Sequence, residues 1–146
     1  CFVILTQDIA TAKSIVGNMD LSNDYIFVQS VNYREVPEYL NMAEAAVQFI
    51  EPSFAKRASS PVKFAEALAM GVPVIANEGI GDVAALLKEA QAGVVVKSWN
   101  DLEELAQQWD PNRFDRSAIR DYAVRNFGLE VGVQQYFNVY NATSHA

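Results

Sequence analysis

Short runs of β-branched and aromatic residues alternate along the chain with longer segments whose apolar positions recur at helical spacing, as far as Asp110-Pro111. Strands that are apolar at nearly every position, separated by amphipathic helices, are the pattern of a parallel sheet with crossover helices. The apolar runs predict strands at Phe2 to Leu5, Tyr25 to Gln29, Ala46 to Ile50, Val72 to Ala76 and Val94 to Val96, buried on both faces. Helical spacing predicts helices over Asp8 to Val16, a short one begun near Pro37, then Pro61 to Met70, Val83 to Ala90 and Asp101 to Trp109. Gly71 and Gly93 follow predicted helices, where a left-handed residue is wanted. Beyond Pro111 the pattern is helical only, with Arg116 to Arg125 and Leu129 to Tyr140 separated by Gly128. The expected fold is α/β: a Rossmann-like parallel sheet of about five strands with helices on both faces, followed by C-terminal helices over 113–146, in a single domain 1–146.

Composition narrows the function. A formal charge of −7 argues against general nucleic-acid binding, which needs clustered Lys and Arg, so an anionic ligand must meet a local basic patch. No run of about 18 apolar residues predicts a membrane span, and CFVILTQD lacks the basic flank and cleavage site of a signal peptide. The lone Cys1 forms no internal disulfide, which makes the cytoplasm the default. The sole histidine, His145, stands one residue from the end, which argues against a histidine base or a His-rich metal site.

In a parallel sheet, ligands meet the loops that leave the carboxyl ends of strands. Three such loops are expected: Ser30 to Glu35, Glu51 to Ser60 and Asn77 to Asp82. In EPSFAKRASSPVKFAEALAMG, Pro52 to Ala65 holds Lys56, Arg57 and Lys63 and no acid, an inversion of charge within an acidic chain. Ser60 fits a helix N-cap and Pro61 the first helical position. The unpaired N–H groups and positive dipole end of that helix, with Ser59, Ser60 and Lys63 beside them, suit a phosphate or diphosphate. Glu66 stands where a carboxylate would accept hydrogen bonds from a ribose diol. Lys63 and Glu66, at i and i+3, fit a surface ion pair equally well.

The segment SSPVKFAEALAMGVPVIANEGIGD resembles the donor-binding half of the retaining, group 1 glycosyltransferases of GT-B fold, which use nucleotide-activated sugars. The resemblance rests on Ser60, Pro61, Lys63, Glu66, Ala69, Gly71, Pro73, Val74 and Ile75, and extends from about Asn32 to Val96. It implies transfer of a sugar from a nucleotide-diphosphate donor to an acceptor, in polysaccharide or glycoconjugate synthesis. Glu66 would then bind the donor ribose, and the backbone of Ser30 and Val31 would seat the base. The family's first motif glutamate, a donor-sugar contact, falls at Ala58, so the Ser59-Ser60 mouth and Lys63 are expected to take over part of that contact.

Lys63, the helix N-terminus and Arg57 are the expected stabilisers of the departing diphosphate, a role that requires neither metal nor cofactor. The resemblance further implies an N-terminal acceptor domain outside this chain. It also implies an isolated chain that does not transfer sugar but associates through exposed apolar surface, and a setting in the cytoplasm or at the inner face of a membrane.

Two other readings compete. Asp8 and Lys97 stand where a response-regulator receiver domain has functional residues, but the third strand leads into Glu51 rather than a phosphorylatable aspartate. Gly79-x-Gly81-x-x-Ala84 has the spacing of a dinucleotide fingerprint. Glu78 would repel a pyrophosphate there, and Lys97 replaces the expected ribose-binding acid, which would suit only NADP. With the donor site placed one strand earlier, Gly79 and Gly81 become a wall beside the pocket and Asp82 caps the next helix. Trp99, Trp109, Phe114, Tyr122, Phe127, Tyr136 and Tyr140 are expected to pack the C-terminal helices.

Overall fold

The computed structural model describes residues 1–19 and 23–143; His145 lies outside them. The chain is α/β, and among the described residues five strands pair in parallel within two compact units, Cys1–Tyr39 and Leu40–Ala146.

The first unit is a β–α–β segment. Strand β1 (Phe2–Leu5) pairs with β2 (Ile26–Gln29) from Phe2↔Ile26 to Leu5↔Gln29, and helix α1 (Ile9–Gly17) packs on β2. Asp8 starts α1 by accepting from the Thr11 N–H at 3.1 Å. Burial on both faces does not hold here: Phe2 is 63% exposed and Val3 48%. Two strands covered by one helix leave much of the sheet's surface in contact with water.

Helix α2 (Val36–Met42) runs across the division between the units. The second unit holds a three-stranded sheet in the order β3 (Ala46–Gln48), β4 (Val74–Asn77), β5 (Gly93–Val96), with Ala46↔Val74 and Val74↔Gly93 in register. Its helices are α3 (Val62–Ala69), α4 (Val83–Ala90), α5 (Trp99–Gln108), α6 (Arg116–Phe127) and α7 (Leu129–Thr143). The apolar faces of α3, α4 and α6 close on the central strand: Phe64, Leu68, Val72, Val74, Val83, Leu87 and Ile119 are all buried. Burying one such side chain contributes about 1.5–3 kcal/mol, so this cluster fixes α3, and with it the loop that enters α3. The C-terminal end of α3 is also held, because Arg120 of α6 donates to the Ala69 carbonyl at 2.9 Å.

Several local expectations need correction. The left-handed residue ending α4 is Gln91 (φ 49°), and Gly93 instead opens β5, where any Cβ would run into the Val74 carbonyl of β4. Helix α5 begins at Trp99 rather than Asp101, because Ser98 caps it by accepting from the Asp101 N–H. The Asp101 carboxylate reaches back to the Ser98 hydroxyl at 2.6 Å and the Lys97 N–H at 2.9 Å, and these bonds hold its pKa below the usual carboxylate value.

Among the aromatics, Phe114 and Tyr122 are buried and Phe127 meets the rings of Phe64 and Tyr122 edge-on. Trp99, Tyr136 and Tyr140 are not core: they are 77%, 70% and 66% exposed. Tyr136 and Tyr140 lie on α7, which buries none of its residues.

Candidate functional site

The candidate site is built on the segment between β3 and α3. Residues Ala55–Ala58 form one 3-10 turn, opened by the Ser53 hydroxyl, which accepts from the Lys56 N–H at 3.3 Å. The Lys56 carbonyl then accepts from the Ser59 hydroxyl at 3.0 Å, the Ser59 N–H at 3.3 Å and the Gly81 N–H at 3.0 Å. These bonds lay the segment against the β4–α4 loop. Gly81 has φ +41°, and a Cβ there would strike the Ser59 carbonyl, so only glycine permits the approach.

Arg57, Ala58, Ser59 and Ser60 on one side, with Gly81 and Asp82 on the other, line an open concavity of about 310 Å³. It opens beside the N-terminus of α3. That helix starts at Val62, one residue later than predicted: Pro61 holds the N-cap position with φ −71° and ψ 125°, and no side chain caps the helix. The Pro61 carbonyl accepts from the Phe64 N–H at 3.0 Å, but its side chain has no oxygen for the Val62 and Lys63 amides, and Ser60, one residue further out, does not cap either. The positive end of α3 is therefore open to an acceptor from a ligand.

Lys63 and Glu66 lie on the first turns of α3, outside the lining of the concavity. The Lys63 Nζ donates to Glu66 Oε2 at 2.9 Å, with side chains 77% and 41% exposed. The ion-pair reading of this spacing is thus realised in the unliganded chain. A pair this exposed is worth a few tenths of a kcal/mol, which leaves both side chains available to an anionic or hydroxyl-bearing ligand at little cost. The structure brings Arg57, Ser59 and Ser60 together. Gly79 is not part of that lining; a Cβ added there would meet the Pro52 ring at 3.5 Å, an ordinary contact.

Ser30 and Val31 belong to the first unit. There the Ser30 hydroxyl donates to Gln7 Oε1 at 3.0 Å, and Gln7 Nε2 donates to the Val31 carbonyl at 3.4 Å. Gln7 was missed in the sequence; its position just past the end of β1 was the available signal.

Asp82 was expected to cap α4. It holds the N-cap position but makes no capping bond with its side chain, and it is instead an acid in the concavity's lining. The supports of the dinucleotide reading are occupied elsewhere. The Gly81 N–H is taken by Lys56, and Lys97 Nζ stands 3.6 Å from a Glu78 carboxylate oxygen, so the two charges weighed for a cofactor face each other. Asp8, weighed for a receiver, is the cap of α1, and its hydrogen bonds to Thr11, side chain first and then N–H, lower its pKa. Among the described residues no group of three or more His, Cys, Asp or Glu could hold a metal ion, and no helix is long and apolar enough to cross a membrane.

The parallel strands with their crossover helices define an α/β protein whose β3–α3 segment presents an uncapped helix N-terminus beside a serine-lined mouth. Residues 7–123 match the family described as glycosyl transferases group 1, and the chain belongs to that family. The match includes both units' strands from β2 onward and the whole of the β3–α3 segment. No curated protein and no solved structure matches the chain significantly.

Proposed function

We propose that the chain is the donor-binding half of a retaining glycosyltransferase and holds a nucleotide-diphosphate sugar at the mouth of α3. The observation that carries the reading is the uncapped N-terminus of α3 opening beside a concavity lined by Arg57, Ser59 and Ser60. The diphosphate lies against the first amides of α3, with Arg57 and Lys63 supplying positive charge and the Ser59 and Ser60 hydroxyls completing its contacts. Glu66, released from Lys63, accepts from the ribose hydroxyls.

As the glycosyl centre gains oxocarbenium character, the leaving diphosphate gains negative charge, and these fixed donors stabilise it more than the bound donor. That role calls for no metal. Ala58, in place of the family's first motif glutamate, leaves the sugar to be held by the serine mouth. Transfer requires an acceptor domain beyond this chain, so the isolated chain binds donor without turnover, in the cytoplasm or at the inner face of a membrane. The apolar residues that α7 exposes support its self-association.

Calorimetric titration with UDP, GDP and ADP sugars tests the reading. One of them should bind more tightly than inorganic phosphate, and Glu66→Ala should weaken it. Equal binding of all three and of phosphate, unaffected by Glu66→Ala, would remove the proposal's support.

A further inference from the structure

The side chain of Asn77, the last residue of β4, closes on the neighbouring strand's exit. Its Oδ1 accepts from the Ile50 N–H at 2.8 Å and its Nδ2 donates to the Ile50 carbonyl at 2.8 Å, both in a partly buried setting. Main-chain pairing of β3 with β4 ends at Gln48↔Ala76, so this amide imitates one further peptide of the ladder. Nδ2 also donates to the Glu78 carbonyl at 3.2 Å, which ties the bond to the start of the β4–α4 loop. Only an amide offers an acceptor and a two-proton donor in this geometry.

Ile50 is the root of the segment that carries Arg57, Ser59 and Ser60. The same segment is pinned further along by the Gly81 N–H on the Lys56 carbonyl at 3.0 Å. Both anchors thus come from the stretch between Asn77 and Gly81. We infer that Asn77 is a positioning residue of the donor site: by clamping Ile50 it sets where the 51–60 segment presents its basic and serine groups, and it acts on nucleotide affinity without touching the ligand. The ligand half of the inference rests on the donor-binding reading; the anchoring half stands on the Ile50 bonds alone.

The test uses the whole chain as wild type, Asn77→Asp, and Leu87→Ala as a core control, with UDP, GDP and ADP titrations and backbone amide spectra. Aspartate keeps the acceptor but turns a second oxygen toward the Ile50 and Glu78 carbonyls. Asn77→Asp should weaken the nucleotide that wild type binds by about tenfold. It should also shift the amide resonances of residues 51–60 while leaving those of α6 in place. Unchanged segment resonances and affinity overturn the inference. So does an equal loss of affinity in Leu87→Ala when temperature brings both variants to the same fraction folded, since the effect would then be general stability.

If wild type binds none of the three nucleotides, the donor reading fails, and the segment resonances decide Asn77 by themselves: shifted ones keep the anchoring role and unshifted ones overturn it. Should Asn77→Asp fail to give a folded spectrum, Asn77→Ser, with a smaller donor and acceptor, takes its place with the same expected readings.

Discussion

Gly81→Ala tests the close contact on which the site is built. At φ +41° an alanine pays left-handed strain of about 1–2 kcal/mol. Its methyl group would meet the Ser59 carbonyl, and displacing packed backbone adds about 1–3 kcal/mol. A stiffer unfolded chain offsets about 0.4–1 kcal/mol of this. The net destabilisation is about 1–5 kcal/mol, which for domains of about 150–250 residues lowers the melting temperature by roughly 2–20 °C.

Gly79→Ala is the matched control. It has the same kind of strain at φ +90°, but its Cβ would lie 3.5 Å from Pro52, an ordinary contact. Thermal unfolding followed by circular dichroism should therefore rank Gly81→Ala well below Gly79→Ala, and nucleotide titration should show the larger loss at Gly81. If both variants melt together and bind alike, Ser59 does not lie against the β4–α4 loop as described.

Three further outcomes are expected. Lys63→Met should change stability by less than about 0.5 kcal/mol, because its ion pair is exposed, yet weaken nucleoside diphosphate more than nucleoside; a uniform effect on both ligands would place Lys63 away from the diphosphate. Asp8 and Asp101 have folded pKa values below 3.8, so the stability their bonds supply is present above that value and is lost as the pH falls through the lowered ones. The double variant Asp8→Asn, Asp101→Asn should flatten the acid limb of a denaturant–pH series, and an unchanged limb would contradict the assigned hydrogen bonds. Tyr136→Glu with Phe137→Glu, at two exposed positions of α7, should abolish concentration-dependent association in sedimentation; a wild-type chain that stays monomeric at high concentration would refute a role for that helix.

The fold class and most elements were legible because periodicity reports burial, and α3, β4 and α4 bury what their patterns say they should. The exposed strand β1 and helix α7 carry the same apolar lettering, so composition could not tell a covered face from an open one. Pro61 shows a different limit. Proline suits both the cap and the first helical position, and the choice rests on a single ψ angle that no local residue dictates. The basic, acid-free stretch before α3 was visible as charge, whereas Asn77, Gln7 and the place of Asp82 in the mouth instead of in a capping bond were not. Their roles depend on which strand end or loop they face, and that is set by strand pairing between residues far apart in sequence.

The three donors on the Lys56 carbonyl have a consequence for variation at the mouth. They meet the main chain alone, so the latch is indifferent to which side chain position 56 carries. A lineage could swap Lys56 for a neutral or acidic residue and retune the charge offered to a ligand while the loop kept its shape. Geometry and electrostatics at this mouth are thus separately adjustable, one written in the backbone and the other in a replaceable side chain.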